Sequence, residues 1–179
     1  MQLLPHLGKA HPHVSRFELE AERRVDGSLT LRFRLEADLA RLKVPSRLKA
    51  LLRGRRADGL WRHTCFEAFI ATPGSEAYCE LNFSPSGEWA AYAFTGYRAG
   101  MTVLELPAAP EAHWVRSAGS LELAVVLEPP TFFPDRGPLR LAASAVLEDQ
   151  SGTIAYWALR HPAGPPDFHH PESFAWLIP

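Results

Sequence analysis

The sequence predicts an almost entirely β-strand protein of the sandwich or barrel class, and three observations carry that prediction. Apolar residues recur at every second position, the period of a strand with one buried face. Clusters of Gly, Pro, Ser and Asp cut the chain into short segments. No stretch of about 15 residues has the 3.6-residue period of an amphipathic helix.

The opening strands show this most clearly. Phe17, Leu19 and Ala21 alternate with charged residues, and after Asp26-Gly27 so do Leu29, Leu31, Phe33 and Leu35. Alternation on both sides of Asp-Gly reads as a hairpin with one buried face. From Leu39 to Arg56 the pattern changes to a basic stretch bearing Arg41, Lys43, Arg47, Lys49, Arg53, Arg55 and Arg56, with Pro45 inside it. It reads as a long connection with room for a short helix. Strand-like segments then recur at 61–71, 77–83, 88–97, 101–106, 113–117, 121–127, 139–148 and 153–161, giving about ten strands. Turn-rich separators stand at 73–75, 84–87, 96–100, 118–119, 129–138 and 149–152. The Pro- and His-rich segment 162–179 reads as an irregular C-terminal tail, and no internal repeat or boundary divides residues 1–179, which are expected to form a single domain.

Composition narrows the function classes. At 179 residues, 46% hydrophobic and 22% charged, the chain can bury a full core and is unlike disordered or coiled-coil sequences. Its net charge of -1 gives no support to nucleic-acid binding. The basic stretch lacks the interleaved aromatics of a single-strand binder, so a solvated connection is its ordinary reading. Two cysteines, Cys65 and Cys79, cannot make a dense disulfide framework. With no signal-peptide pattern and no apolar run long enough to span a membrane, the expected location is cytoplasmic.

Residues that carry chemistry concentrate in the middle of the chain. Alternation from Trp61 to Ile70 sends Phe66, Ala68 and Ile70 to one face and Trp61, His63, Cys65 and Glu67 to the other. On the next strand Leu81 and Phe83 share the apolar face while Glu80 and Asn82 share the opposite one. Antiparallel pairing would set these polar residues side by side. A third strand adds Trp89 to that face or its rim, and the loop after it carries Tyr97 and Arg98. Aromatic rings beside carboxylates and amides suit a sugar, whose ring faces stack and whose hydroxyls hydrogen-bond. The plain alternative is that the tryptophans pack in the core and the acids are solvated strand residues.

Other chemistry is less supported. His6, His11, His13, His161, His169 and His170 fit no familiar metal-ligand spacing, and no metal is expected. His63 and Cys65 share a strand face, but nothing there activates a thiol, so Cys65 reads as structural. Glu67 and Glu80 would supply the two carboxylates of a glycoside-acting enzyme, although nothing favours that over binding.

Further resemblance lies in Leu60-Trp-Arg-His-Thr-Cys-Phe-Glu-Ala-Phe-Ile70, in the run from Tyr78-Cys-Glu-Leu-Asn-Phe-Ser-Pro-Ser-Gly to Tyr92, in Gly96-Tyr-Arg98, in Tyr156-Trp-Ala-Leu-Arg-His161 and in Pro166-Asp-Phe-His-His170. Together these resemble the bacterial DOMON-like proteins related to the family-9 carbohydrate-binding modules, from about Arg16 to Phe174. The resemblance implies a two-sheet antiparallel β-sandwich, jelly-roll-like, with a face or pocket that takes a sugar in some relatives and haem in others. It carries Trp61, Glu67, Glu80, Asn82, Trp89, Tyr97 and Arg98 onto a ligand surface. The expected function is non-catalytic binding of a small carbohydrate or other small polar ligand, without cofactor, nucleic acid or membrane. Unlike the secreted relatives, this sequence shows no signal peptide or attached catalytic domain, which weighs against an extracellular polysaccharide. Under the haem alternative, Met101 and His161 would be the axial pair.

Overall fold

Period-two patterning becomes two antiparallel sheets. The computed structural model describes residues 1–8, 11–45, 54–128 and 137–179. Twelve strands lie among them: β1 (Leu4–Pro5), β2 (Val14–Arg23), β3 (Leu29–Ala37), β4 (Cys65–Ala71), β5 (Tyr78–Phe83), β6 (Trp89–Phe94), β7 (Thr102–Val103), β8 (Glu111–Arg116), β9 (Ser120–Leu127), β10 (Leu139–Glu148), β11 (Ile154–Ala158) and β12 (Trp176–Ile178). The larger sheet runs β1-β11-β10-β4-β5-β6-β7, with β12 added beside β10, and the smaller runs β2-β3-β9-β8. This is the predicted β-sandwich.

The core fills the space between the sheets. Phe17, Phe33, Leu31 and Leu35 from the smaller sheet meet Phe66, Ile70, Phe83 and Leu141 from the larger one, all essentially without solvent contact. Each such side chain stabilises the fold by roughly 1.5–3 kcal/mol through burial. Phe17 and Phe33 lie 4.9 and 5.5 Å from the Phe66 ring, which ties the sheets together. Residues preceding β2 close one seam: Leu3 N–H donates to Phe17 O at 2.9 Å, and Leu4 and Pro5 then pair with Ala158 and Trp157.

The smaller sheet is polar outside, but the larger one is not. Phe69, Tyr78, Tyr92 and Phe94 form a second buried cluster on its outer face, and Leu60, Phe168 and Phe174 pack over it. The expected irregular tail is therefore a structural layer. After residues 162–170 it forms a 3-10 turn, Pro171–Ser173, and ends as β12 with Leu141 paired to Trp176.

Segment edges also differ from the prediction. Leu60–Arg62 forms a 3-10 turn rather than strand, and within 101–106 only Thr102–Val103 pair. Arg47, Lys49 and Arg53 of the basic stretch, the short helix expected near them, and residues 129–136 lie outside the described residues. Of the described cations, Lys43 bonds Glu148 at 2.6 Å and Arg56 lies over the Trp89 and Tyr92 rings. Among the described residues no helix is long and apolar enough to cross a membrane.

Candidate functional site

The outer face of the larger sheet holds polar residues at matched register. Glu67 pairs with Asn82 on one side and Ser144 on the other, and Glu80 pairs with Phe69. Alternation thus places Glu67, Glu80 and Asn82 together, as the sequence indicates. Their environment differs from a solvated sheet, because Glu67 is 2% and Glu80 5% exposed. The layer over them comes from the distant residues 166–174.

A cavity of about 390 Å³ opens above this face. Glu67 and Glu80 line it together with Trp61, Phe94, Tyr156, Phe168, Arg98 and His169. Trp61 stands edge-on to Tyr92 at 5.7 Å and remains 38% exposed at the cavity wall.

The two carboxyls have different partners. Glu67 Oε2 accepts from Ser144 Oγ at 3.0 Å, whereas Oε1 is buried with no partner. Desolvation, reinforced by the neighbouring Glu80 charge, pushes the Glu67 pKa up to about 8, so this carboxyl is protonated at neutral pH. Glu80 Oε1 accepts from Asn82 Nδ2 at 2.7 Å. Burial also raises the Glu80 pKa, opposed by that hydrogen bond and by the Arg98 charge. Asn82 is fully buried and turns its Oδ1 toward the Cys65 thiol, 3.6 Å away. It positions Glu80 rather than lining the cavity.

A turn and the tail supply the opposite wall. Arg98 adopts a left-handed backbone, φ 52°, in the turn after β6. Gly100 keeps this turn tight, since a Cβ there would lie 2.3 Å from Thr95 Oγ1. The Arg98 guanidinium donates to Asp167 Oδ1 at 2.9 Å, the Tyr97 hydroxyl donates to Asp167 Oδ2, and Asp167 also receives the His169 N–H at 3.1 Å. His169 is thereby placed against the acids, its Nε2 3.8 Å from Glu80 Oε2 and its Nδ1 2.8 Å from the Tyr78 hydroxyl. Desolvation, helped by the Arg98 charge, pushes the His169 pKa down to about 4, so the ring is neutral and the approach to Glu80 is not a full salt bridge.

Trp61, Glu67, Glu80 and Arg98 of the sequence-derived set therefore meet at one cavity. Trp89 does not. It pairs with Phe83 across β5 and β6, lies in the inter-sheet core, and donates from Nε1 to Gly54 O at 3.0 Å. The expectation that it joins the acidic face is corrected by that register. Tyr97 lines a neighbouring cavity with Tyr78, Arg140 and Phe174 instead. Sequence reading missed Tyr156, Phe168 and His169 as cavity residues. Met101 also lines the cavity, while His161 bonds Leu4 O at 2.9 Å and packs beside His6. His63 turns from Cys65 to Glu148, 2.7 Å away, and burial raises the Cys65 pKa well above that of a reactive thiol.

Two other cavities are less suited to a ligand. The one of about 650 Å³ carries Lys43, His63 and Glu148, but these are already bonded to one another. The one of about 190 Å³ is walled mainly by Leu81, Leu104, Leu106, Pro110 and Leu127 and has few converging polar groups.

The fold has known counterparts. A structure from Bacteroides uniformis ATCC 8492, of a protein proposed to bind carbohydrate, superposes with a TM-score of 0.52 at 12% identity, covering 87% of this chain and 83% of that one. A family-9 carbohydrate-binding module from Caldicellulosiruptor kristjanssonii, in complex with cellotriose, gives a TM-score of 0.52 at 11% identity over 92% of this chain and 74% of the module. At such identities the likeness is one of fold. No protein-family model matches the chain, and no curated protein matches it in sequence.

Proposed function

We propose that this protein binds a small carbohydrate, without a catalytic step, in the cavity above the outer face of the larger sheet. One observation carries the reading: Trp61, Tyr156 and Phe168 wall a cavity of about 390 Å³ that the buried acids Glu67 and Glu80 also line, and Glu67 keeps one oxygen buried without a partner. Aromatic faces cover the apolar side of a sugar ring while fixed acceptors and donors read its hydroxyls. A buried polar atom without a partner costs free energy that a ligand hydroxyl would recover. The two fold counterparts, one with cellotriose bound and one proposed to bind carbohydrate, support the same class of ligand.

The DOMON-like resemblance adds a haem-binding alternative, to which Met101 and His161 would belong. His161 does not line the cavity that Met101 lines, and its Nε2 is engaged by Leu4 O, which favours the sugar reading.

Thermal melting against a panel of neutral and amino mono- and disaccharides tests the proposal. A sugar at about 100 times its Kd stabilises by about 2.7 kcal/mol, which raises Tm by roughly 5–10 °C for a chain of this size. That rise should disappear in Trp61→Ala. No stabilisation by any sugar overturns the reading.

A further inference from the structure

The cavity is lined by more acids than cations. Its acids are Glu67 from β4 and Glu80 from β5. Arg98 is the cation on its wall, and its guanidinium is already hydrogen-bonded to Asp167. His169, from the tail, is held neutral by burial. The sheet neighbours add no cation, since β10 contributes Ser144 and Val146 and β11 contributes Tyr156. Two buried carboxyls therefore line the cavity, hydrogen-bonded to Asn82 and Ser144 and, among the described residues, to no cation. One of them, Glu67, leaves Oε1 unbonded although the residue is 2% exposed.

The other walls are aromatic. Trp61, Phe94, Tyr156 and Phe168 surround the carboxyls, and Tyr156 and Phe168 meet edge to face at 6.0 Å. Aromatic faces attract a cation most strongly when water is excluded. Carboxyls in the same enclosure would give an ammonium charge-assisted hydrogen bonds. An anionic sugar finds the reverse, with two acids on the floor and the arginine shared with Asp167.

We infer that the ligand is an amino sugar whose protonated amine sits between Glu67 and Glu80, beneath the rings of Trp61 and Phe168. This rests on the carbohydrate reading and names the class within it. The ammonium gives the two carboxyls a cationic partner and charge-assisted hydrogen bonds. A neutral sugar leaves Glu67 in its protonated form, so binding the amine is accompanied by release of the Glu67 proton.

Isothermal titration at neutral pH with D-glucosamine, D-glucose, N-acetyl-D-glucosamine and cyclohexylamine tests this. D-glucosamine should bind about tenfold or more tighter than D-glucose and N-acetyl-D-glucosamine, the usual difference for a hydrogen bond to a charged group. Glu67→Gln and Glu80→Gln should each bring D-glucosamine down to the affinity that the same variant has for D-glucose. Titration in buffers of different ionisation enthalpy should show proton release in wild type that Glu67→Gln lacks. Should Glu67→Gln not fold, Glu80→Gln decides the question. Equal or weaker binding of D-glucosamine overturns the amine inference while leaving the sugar reading intact. Binding of cyclohexylamine alone keeps the amine and overturns the sugar, and no binding by any of the four overturns both.

Discussion

The Tyr78 hydroxyl lies 2.8 Å from His169 Nδ1, joining β5 to a tail residue 91 positions later. It also accepts the Arg98 N–H at 3.2 Å, which leaves its own proton available to the imidazole. When it donates that proton, Nδ1 is the acceptor and the neutral ring carries its hydrogen on Nε2, toward Glu80. One buried hydroxyl thus holds a cavity residue in position.

Tyr78→Phe should leave both the Arg98 N–H and His169 Nδ1 without this partner. The expected cost is about 1–3 kcal/mol in denaturant unfolding. The imidazole nitrogen shifts of His169 should also move toward a mixture of tautomers. Retention of one tautomer in the variant would mean that the hydroxyl does not set it.

Glu67 makes stability depend on pH in a direction opposite to most carboxylates. A glutamate ordinarily titrates near 4.5 and Glu67 at about 8 in the fold, so between these limits the folded state holds a proton that the unfolded state has lost. Its contribution is fully present below about pH 4.5 and is lost as pH rises through about 8. Wild type should lose a few kcal/mol over this window relative to Glu67→Gln, whose curve lacks the slope. Parallel denaturation curves for the two proteins from pH 5 to pH 8 would show that Glu67 is not desolvated as described.

His169 behaves in the complementary way. Burial pushes its pKa down from 6.5 to about 4, so the stability from its neutral form is present above about 6.5 and is lost as pH falls through about 4. In an NMR titration the ring should remain neutral at pH 5, where an exposed histidine is charged. A midpoint near 6.5 would place His169 in solvent and detach the tail from the acids.

Alternation was sufficient to assign faces along β4 and β5. Phe66, Ala68 and Ile70 against Cys65 and Glu67 is a pattern internal to one strand, and antiparallel pairing then sets Asn82 opposite Glu67. What covers a face is not local information. The same sequence pattern serves a solvated sheet and one roofed by residues 166–174, so the burial of Glu67 and Glu80 and the part played by His169 were not legible. Asp167 and His169 lie among prolines and glycines, where no period marks an element. The side taken by Trp89 was equally hidden, because β6 has apolar residues on both faces. The turn between Phe83 and Trp89, closed by Ser84 N–H to Glu88 O at 2.9 Å, sets the register that sends Trp89 inward.

Trp89 and Trp61 consequently separate stability from binding. Trp89 is 8% exposed within the inter-sheet core and donates to Gly54 O, so Trp89→Ala should cost about 3–5 kcal/mol. Trp61 is 38% exposed on a 3-10 turn at the cavity wall. Its replacement by alanine should cost about 1 kcal/mol or less, since surface substitutions disturb little packing. For ligand affinity the order should reverse. Trp61→Ala removes a ring from the cavity, whereas Trp89→Phe keeps the core filled and touches no cavity residue on the opposite face. Unfolding midpoints and sugar affinities measured on the same two variants check both halves. Loss of sugar binding in Trp89→Phe with normal binding in Trp61→Ala would move the binding surface away from the outer face.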